Sequence, residues 1–212
     1  MTVNGTDVGW GAGPGWQLCD DNYVQLDGTV DNPVISGTNT RGTVMIEIDA
    51  NMTLTLSNLC LNCMTKDECC IWATNDVTAT IWLIGTNTLD AAEGPGEGIC
   101  IENGCDLTIM ARPGLSDDEA VLIAKGGREN AAIATGRNGW NGEIPRLTID
   151  SGTIFAYGGS GSAGIGGSFS TNNRQCSTDI TIRGGRVFAS SSESTTSDSR
   201  GGAGIGACGA NF

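Results

Sequence analysis

Read for alternation, the chain spells short words in which apolar residues flank a residue facing the other way. One set is centred on threonine: Leu54-Thr55-Leu56, Ala79-Thr80-Ile81, Leu107-Thr108-Ile109, Leu147-Thr148-Ile149 and Ile180-Thr181-Ile182. A second set follows after a turn: Leu59-Cys60-Leu61, Leu89-Asp90-Ala91, Leu122-Ile123-Ala124, Ile154-Phe155-Ala156 and Val187-Phe188-Ala189. A third closes the cycle with Ile71-Trp72-Ala73, Ile99-Cys100-Ile101 and Ile133-Ala134-Thr135, then Ile165 and Ile205 inside two copies of Ala-Gly-Ile-Gly. The cycle varies in length, but the order never breaks. Period-two alternation puts the first and third residues of each word on one side of a strand and the middle residue on the other. Three such strands per cycle bury their apolar faces by stacking on the next cycle at roughly 4.8 Å.

The pattern therefore predicts an all-β chain: a right-handed parallel β-helix, a three-sided β-solenoid of about six coils. An antiparallel sandwich or barrel would need evenly spaced hairpin dipeptides. The long gaps here fall after the second or third word, as loops leaving the corners of a solenoid would. Residues 1–22 read as an N-terminal leader or cap, and 23–212 as a single β-helix domain. The final "GAGIGACGANF" stops on a third-side strand with no polar cap, as expected of a piece of a longer stalk or of a stack continued by another chain. The glycines flanking Ile165 and Ile205 permit tight corners or close backbone approach. A phosphate-binding loop would need a following helix, and no helical pattern follows.

Composition narrows the function. The net charge is −13, from 24 acidic and 11 basic residues. That balance argues against a nucleic-acid partner, which needs clustered Lys and Arg. No apolar run approaches the roughly 20 residues of a membrane helix, so membrane insertion is not expected, and "MTVNGTDVGWGAGPGW" lacks signal-peptide regions. The 33 glycines favour short strands and turns. Nine cysteines and no histidine fit an oxidising, extracellular setting with disulfides. Buried free thiols are the second reading, and zinc on Cys60, Cys63, Cys69 and Cys70 the third, because adjacent cysteines rarely reach one metal.

Two segments carry a family resemblance. "LTIDSGTIFAYGGSGSAGIGGS", starting at Leu147, and "ITIRGGRVFASSSES…GGAGIGA", starting at Ile180, resemble repeats of large bacterial cell-surface proteins and related carbohydrate-binding β-helix domains. Those repeats typically read "TITGGTVTATGG…GAGIGGG". The likeness runs roughly from Tyr23 to Cys208 and is strongest after Arg146. It implies a parallel β-helix on an exported surface protein, with polysaccharide binding or adhesion as the usual assignment. The cysteine load departs from that pattern.

The outward positions carry the candidate chemistry. A threonine column at 55, 80, 108, 148 and 181 has a neighbouring column of Thr53, Thr78, Asp106, Arg146 and Asp179. Two threonine columns would suit ice; one alone reads as cross-strand stacking. On the second side the outward column is Cys60, Asp90, Ile123, Phe155 and Phe188, with Tyr157 on the same face. Ile123, Phe155, Tyr157 and Phe188 are the expected ligand- or partner-binding residues, because an exposed aromatic row stacks on sugars or buries against a protein. Corner segments Gly167 to Ser177 and Ser190 to Arg200 are the alternative cover for that row. Trp72, Trp82 and Trp140 are further stacking candidates. Catalytic carboxylate pairs need a spacing of about 5–9 Å, and Asp20-Asp21 and Asp117-Asp118-Glu119 sit in loops with no nearby base. No catalytic residue, metal site or cofactor is therefore assigned, although Ser116 to Glu119 is the one loop rich enough in oxygen to consider for calcium. The expectation is a non-catalytic surface or adhesion module with a polysaccharide or surface protein as partner. End-to-end self-association into a fibre and a polysaccharide lyase or hydrolase are the alternatives.

Overall fold

A computed structural model describes residues 1–7, 12–19, 23–42, 45–64, 69–135, 144–168, 179–192 and 201–206. Among the described residues all regular structure is β, apart from one turn of 3-10 helix at Asp117–Glu119. Beyond the N-terminal hairpins, strands pair in parallel with partners one repeat away, in the order expected of a β-solenoid. One sheet stacks Val34–Gly42, Met52–Cys63, Thr78–Asp90, Asp106–Ala111, Arg146–Ile149 and Asp179–Ile182. A branch of the same sheet continues from the far half of Thr78–Asp90 through Ala120–Lys125 and Thr153–Ser160 to Arg186–Ser192. The other sheet stacks Tyr23–Leu26, Met45–Ile48, Ile71–Ala73, Ile99–Ile101, Ile133–Thr135, Ile165–Gly166 and Ile205–Gly206.

The inward residues of all three stacks meet in one core. Leu54, Ile81, Leu107 and Leu147 from the first stack lie with Leu61, Leu89, Leu122 and Ile154 from the second and Ile46, Ile71, Ile99 and Ile133 from the third. Each fully buried Leu or Ile is worth about 1.5–3 kcal/mol of transfer free energy. At the N-terminal end the direction reverses. Thr2–Val3 pairs antiparallel with Val34–Gly42, and Trp16–Cys19 with Tyr23–Leu26. Val3 and Trp16 are buried there and close that end of the core.

Register corrects two of the expected alignments. Thr80 lies opposite Thr53, so the threonine column is Thr53, Thr80, Thr108, Thr148 and Thr181; Thr55 lies opposite Trp82 instead. In the second stack Thr88 lies opposite both Cys60 and Ile123, so Asp90 belongs one column over, between Asn62 and Lys125. The inward residue opposite Leu122 in that repeat is Asn87, which is buried.

Asn87 braces the corner at which the early repeats differ from the later ones. Val34–Gly42, Met52–Cys63 and Thr78–Asp90 each run unbroken through the corner between the first two stacks, whereas later repeats break there into two strands. Turning a continuous strand strands some of its backbone groups inside. Asn87 Oδ1 accepts the Leu59 amide at 3.0 Å, and its Nδ2 donates to the carbonyls of Ile84 at 3.2 Å and Val121 at 3.3 Å. One amide side chain thus satisfies main chain from three successive repeats.

The glycine words serve close approach. Ile165 lies over Ile205 and Gly166 over Gly206, with φ of +130° and +125° at the two glycines. A Cβ on Gly166 would sit 2.1 Å from the Gly206 carbonyl oxygen. At another corner a Cβ on Gly127 would fall 1.8 Å from the Gly94 oxygen, and one on Gly159 1.8 Å from the Gly127 oxygen. Main chain packs on main chain along that edge, and any side chain would separate the layers.

Candidate functional site

The four residues expected to form a contact site come together. Ile123, Phe155 and Phe188 are direct register partners in successive strands, and Tyr157 occupies the neighbouring outward column between Lys125 and Ser190. Ile123 and Phe155 are half-buried, whereas Tyr157 is 44% and Phe188 52% exposed. The Phe155 and Phe188 rings have centroids 4.9 Å apart and planes 12° from parallel; Phe155 and Tyr157 are 6.5 Å apart at 11°. Coplanar rings at 4.9 Å would overlap, so Phe188 must overlie Phe155 face to face with an offset. The strands repeat along the same direction, so the column turns mainly ring edges sideways. Phe155 is enclosed between Ile123 and Phe188. Among the described residues the open faces belong to Phe188 and to Tyr157, which is overlain by the small Ser190.

Polar neighbours complete the patch. Lys125 Nζ contacts Asp90 Oδ2 at 2.7 Å, two residues along from Ile123 on the same face. Alternation alone would have placed Lys125 beside the aromatic row, had it been carried one step past Ile123. The first stack and its corner hold charge ladders. Arg146 lies between Asp106, at 3.0 Å, and Asp179, at 4.0 Å; Arg183 meets Asp150 at 3.4 Å. The column beside the threonines is therefore an alternating-charge column, unlike the second threonine row that ice binding would require.

Other candidates are occupied by internal bonding. In the loop considered for calcium, Glu119 caps Ser116, accepting from its amide at 3.1 Å and its hydroxyl at 2.8 Å, which holds the Glu119 carboxyl below the usual range. Asp117 accepts the Gly152 amide at 2.6 Å, and Asp118 pairs with Arg186. Among the described residues no group of His, Cys, Asp or Glu is arranged to hold a metal ion. Cys69 and Cys70 face opposite ways: Cys70 joins the main core with Cys63, and Cys69 packs with Met45 and Cys100. That divergence separates the four thiols considered for zinc.

Among the described residues no disulfide joins two cysteines. The Cys63 thiol donates to the Cys69 carbonyl at 3.5 Å, and the Cys70 thiol to the Leu61 carbonyl at 3.7 Å. Burial pushes the Cys70 thiol well up and the Cys105 thiol to about 11. Trp72 is half-buried against Met45, Cys69 and Cys100. Trp82 is half-buried between Thr55 and Met110. Trp140, Asp20, Asp21, Cys176, Cys208 and most of the two proposed covering segments lie outside the described residues.

A carboxylate cluster also lies along the third stack. Gln25 Nε2 donates to Glu47 at 3.1 Å and to Asp49 at 3.0 Å, while the Thr74 hydroxyl donates to Glu102 at 2.8 Å. Burial, then the charge on Asp49, raises the Glu47 carboxyl above its ordinary value. No helix of the described residues is long and apolar enough to cross a membrane. No family model, curated protein or solved structure matches the chain.

Proposed function

We propose that this protein is a non-catalytic extracellular surface module that holds a polysaccharide against the Ile123, Phe155, Tyr157 and Phe188 column. The same reading takes its three stacks to close into a right-handed, three-sided β-helix around the shared core. The observation that carries it is the set of three near-parallel aromatic rings, two of them with an open face, held on paired strands at the surface. Pyranose rings stack their C–H faces on aromatic faces. Ser190 and the Lys125–Asp90 pair lie where sugar hydroxyls would need donors and acceptors. A rigid sheet holds the rings in place before binding, which lowers the ordering cost of the encounter. A partner protein is the competing ligand class, since an exposed apolar patch also suits a protein interface.

The test is a glycan array and titration with wild type, Phe155→Ala, Tyr157→Ala and Phe188→Ala. Loss of the open-faced rings should weaken binding about three- to tenfold each. Phe155→Ala should act by letting Phe188 drop from its stacked position. Binding that survives all three changes would place the site elsewhere, and an array with no glycan bound at all would remove the polysaccharide reading.

A further inference from the structure

Among the described residues, the strand Asp179–Ile182 lies at the end of the first stack, paired on one side only with Arg146–Ile149. Its hydrogen bonds fix which groups face the open side. Asp179 donates to the Pro145 carbonyl at 3.4 Å and Arg183 to the Ile149 carbonyl at 2.8 Å. Ladder alternation then turns the amides and carbonyls of Ile180 and Ile182 toward the open edge. Apolar residues at this end are exposed: Ile182 and Ile205 are each 43% exposed. Their counterparts one repeat earlier, Ile149 and Ile165, are buried. The opposite end is closed by antiparallel hairpins over Val3 and Trp16.

The edge reads Asp179-Ile180-Thr181-Ile182-Arg183, which is chemically the same in both directions apart from the sign of the terminal charge. We propose that two copies of this chain join at this edge, antiparallel, about a two-fold axis through Thr181. In that register Ile180 of each copy faces Ile182 of the other, so the four edge-facing amide and carbonyl pairs bond one another. Thr181 faces its own copy, a pairing that favours strands. Asp179 faces the partner copy's Arg183. The alternation of charge along the column then continues without a break: Asp106, Arg146 and Asp179 of one chain are followed by Arg183 and Asp150 of the other. The interface is isologous, so it closes at two copies. It does not depend on the polysaccharide reading.

Sedimentation velocity of the 212-residue chain over a wide concentration range tests this. A monomer–dimer equilibrium that stops at twice 21.8 kDa is expected. Thr181→Lys sets two like charges against each other on the axis and should weaken the dimer at least about tenfold. Thr181 is exposed, and an unchanged circular dichroism spectrum would confirm that this variant folds. D179R and R183D should each be monomeric alone and pair when mixed, because each then meets an opposite charge. A wild type that remains monomeric throughout overturns the proposal. So does growth into polymers, a dimer indifferent to Thr181→Lys, or a D179R and R183D mixture that fails to pair. A failed glycan array leaves all these outcomes unaffected, so the two readings fail separately.

Discussion

Replacing Asn87 by alanine removes, at one point, its side-chain hydrogen bonds to the main chain of three repeats. The Leu59 amide loses its acceptor, and the Ile84 and Val121 carbonyls lose a donor. Each orphaned buried group costs about 1–3 kcal/mol, less where water can enter the space left. Ile84 and Val121 are half-buried, so their carbonyls can be rehydrated more easily than the buried Leu59 amide. The net loss should be about 2–5 kcal/mol. Asn58 is the internal control: it lies at the same corner of the preceding repeat but is exposed, and its Oδ1 accepts one amide, from Thr86, at 3.3 Å. Its φ of +50° is left-handed, a conformation glycine adopts freely, so Asn58→Gly should cost less than about 1 kcal/mol. Urea denaturation of both variants, followed by circular dichroism and tryptophan fluorescence, gives the two free energies from the midpoints. An Asn87→Ala protein within about 0.5 kcal/mol of wild type would show that the corner does not depend on this side chain.

The remaining expectations are more local. Gly127→Ala should lower the melting temperature sharply, since its Cβ meets the Gly94 carbonyl, whereas Gly201→Ala, with nothing within 4 Å, should leave it unchanged; equal melting temperatures would contradict the packed glycine edge. The raised Glu47 carboxyl makes the folded chain hold a proton that the unfolded chain releases at its ordinary value of 4.5, so stability should fall as pH rises from 4.5 through the raised value. Glu47→Gln should flatten that slope and raise the urea midpoint at neutral pH; an unchanged pH profile would show that Glu47 is not its source. In the native protein a thiol reagent should label the partly exposed Cys19 and Cys60 before the buried Cys70 and Cys105, with the order read by peptide mass spectrometry.

The three stacks were legible because each repeat keeps its apolar residues two apart and returns them to the core. The misplaced threonine shows the limit of that signal. "MTLTLSN" alternates with threonine at both 53 and 55, and a shift of two residues leaves every side chain on its proper face. Only pairing with Thr80 decides between them. Asn87 was missed for a different reason. Alternation assumes that inward residues are apolar, so a polar residue holding a corner from inside looks like a surface residue. The gathering of Ile123, Phe155, Tyr157 and Phe188 followed from register alone. The turning of their rings, edge outward, depends on packing between neighbours and leaves no mark on the pattern.

The glycine edge bears on how such a chain can change over time. Along it the layers touch backbone to backbone, so even one added methyl group has nowhere to go. The segment between Ala111 and Ala120 shows the opposite latitude, since it leaves the wall, turns and returns without disturbing either strand. New loops can be grafted into such gaps while the glycine seam keeps the layers in step, which makes one side of the molecule a fixed spine and another a site for variation.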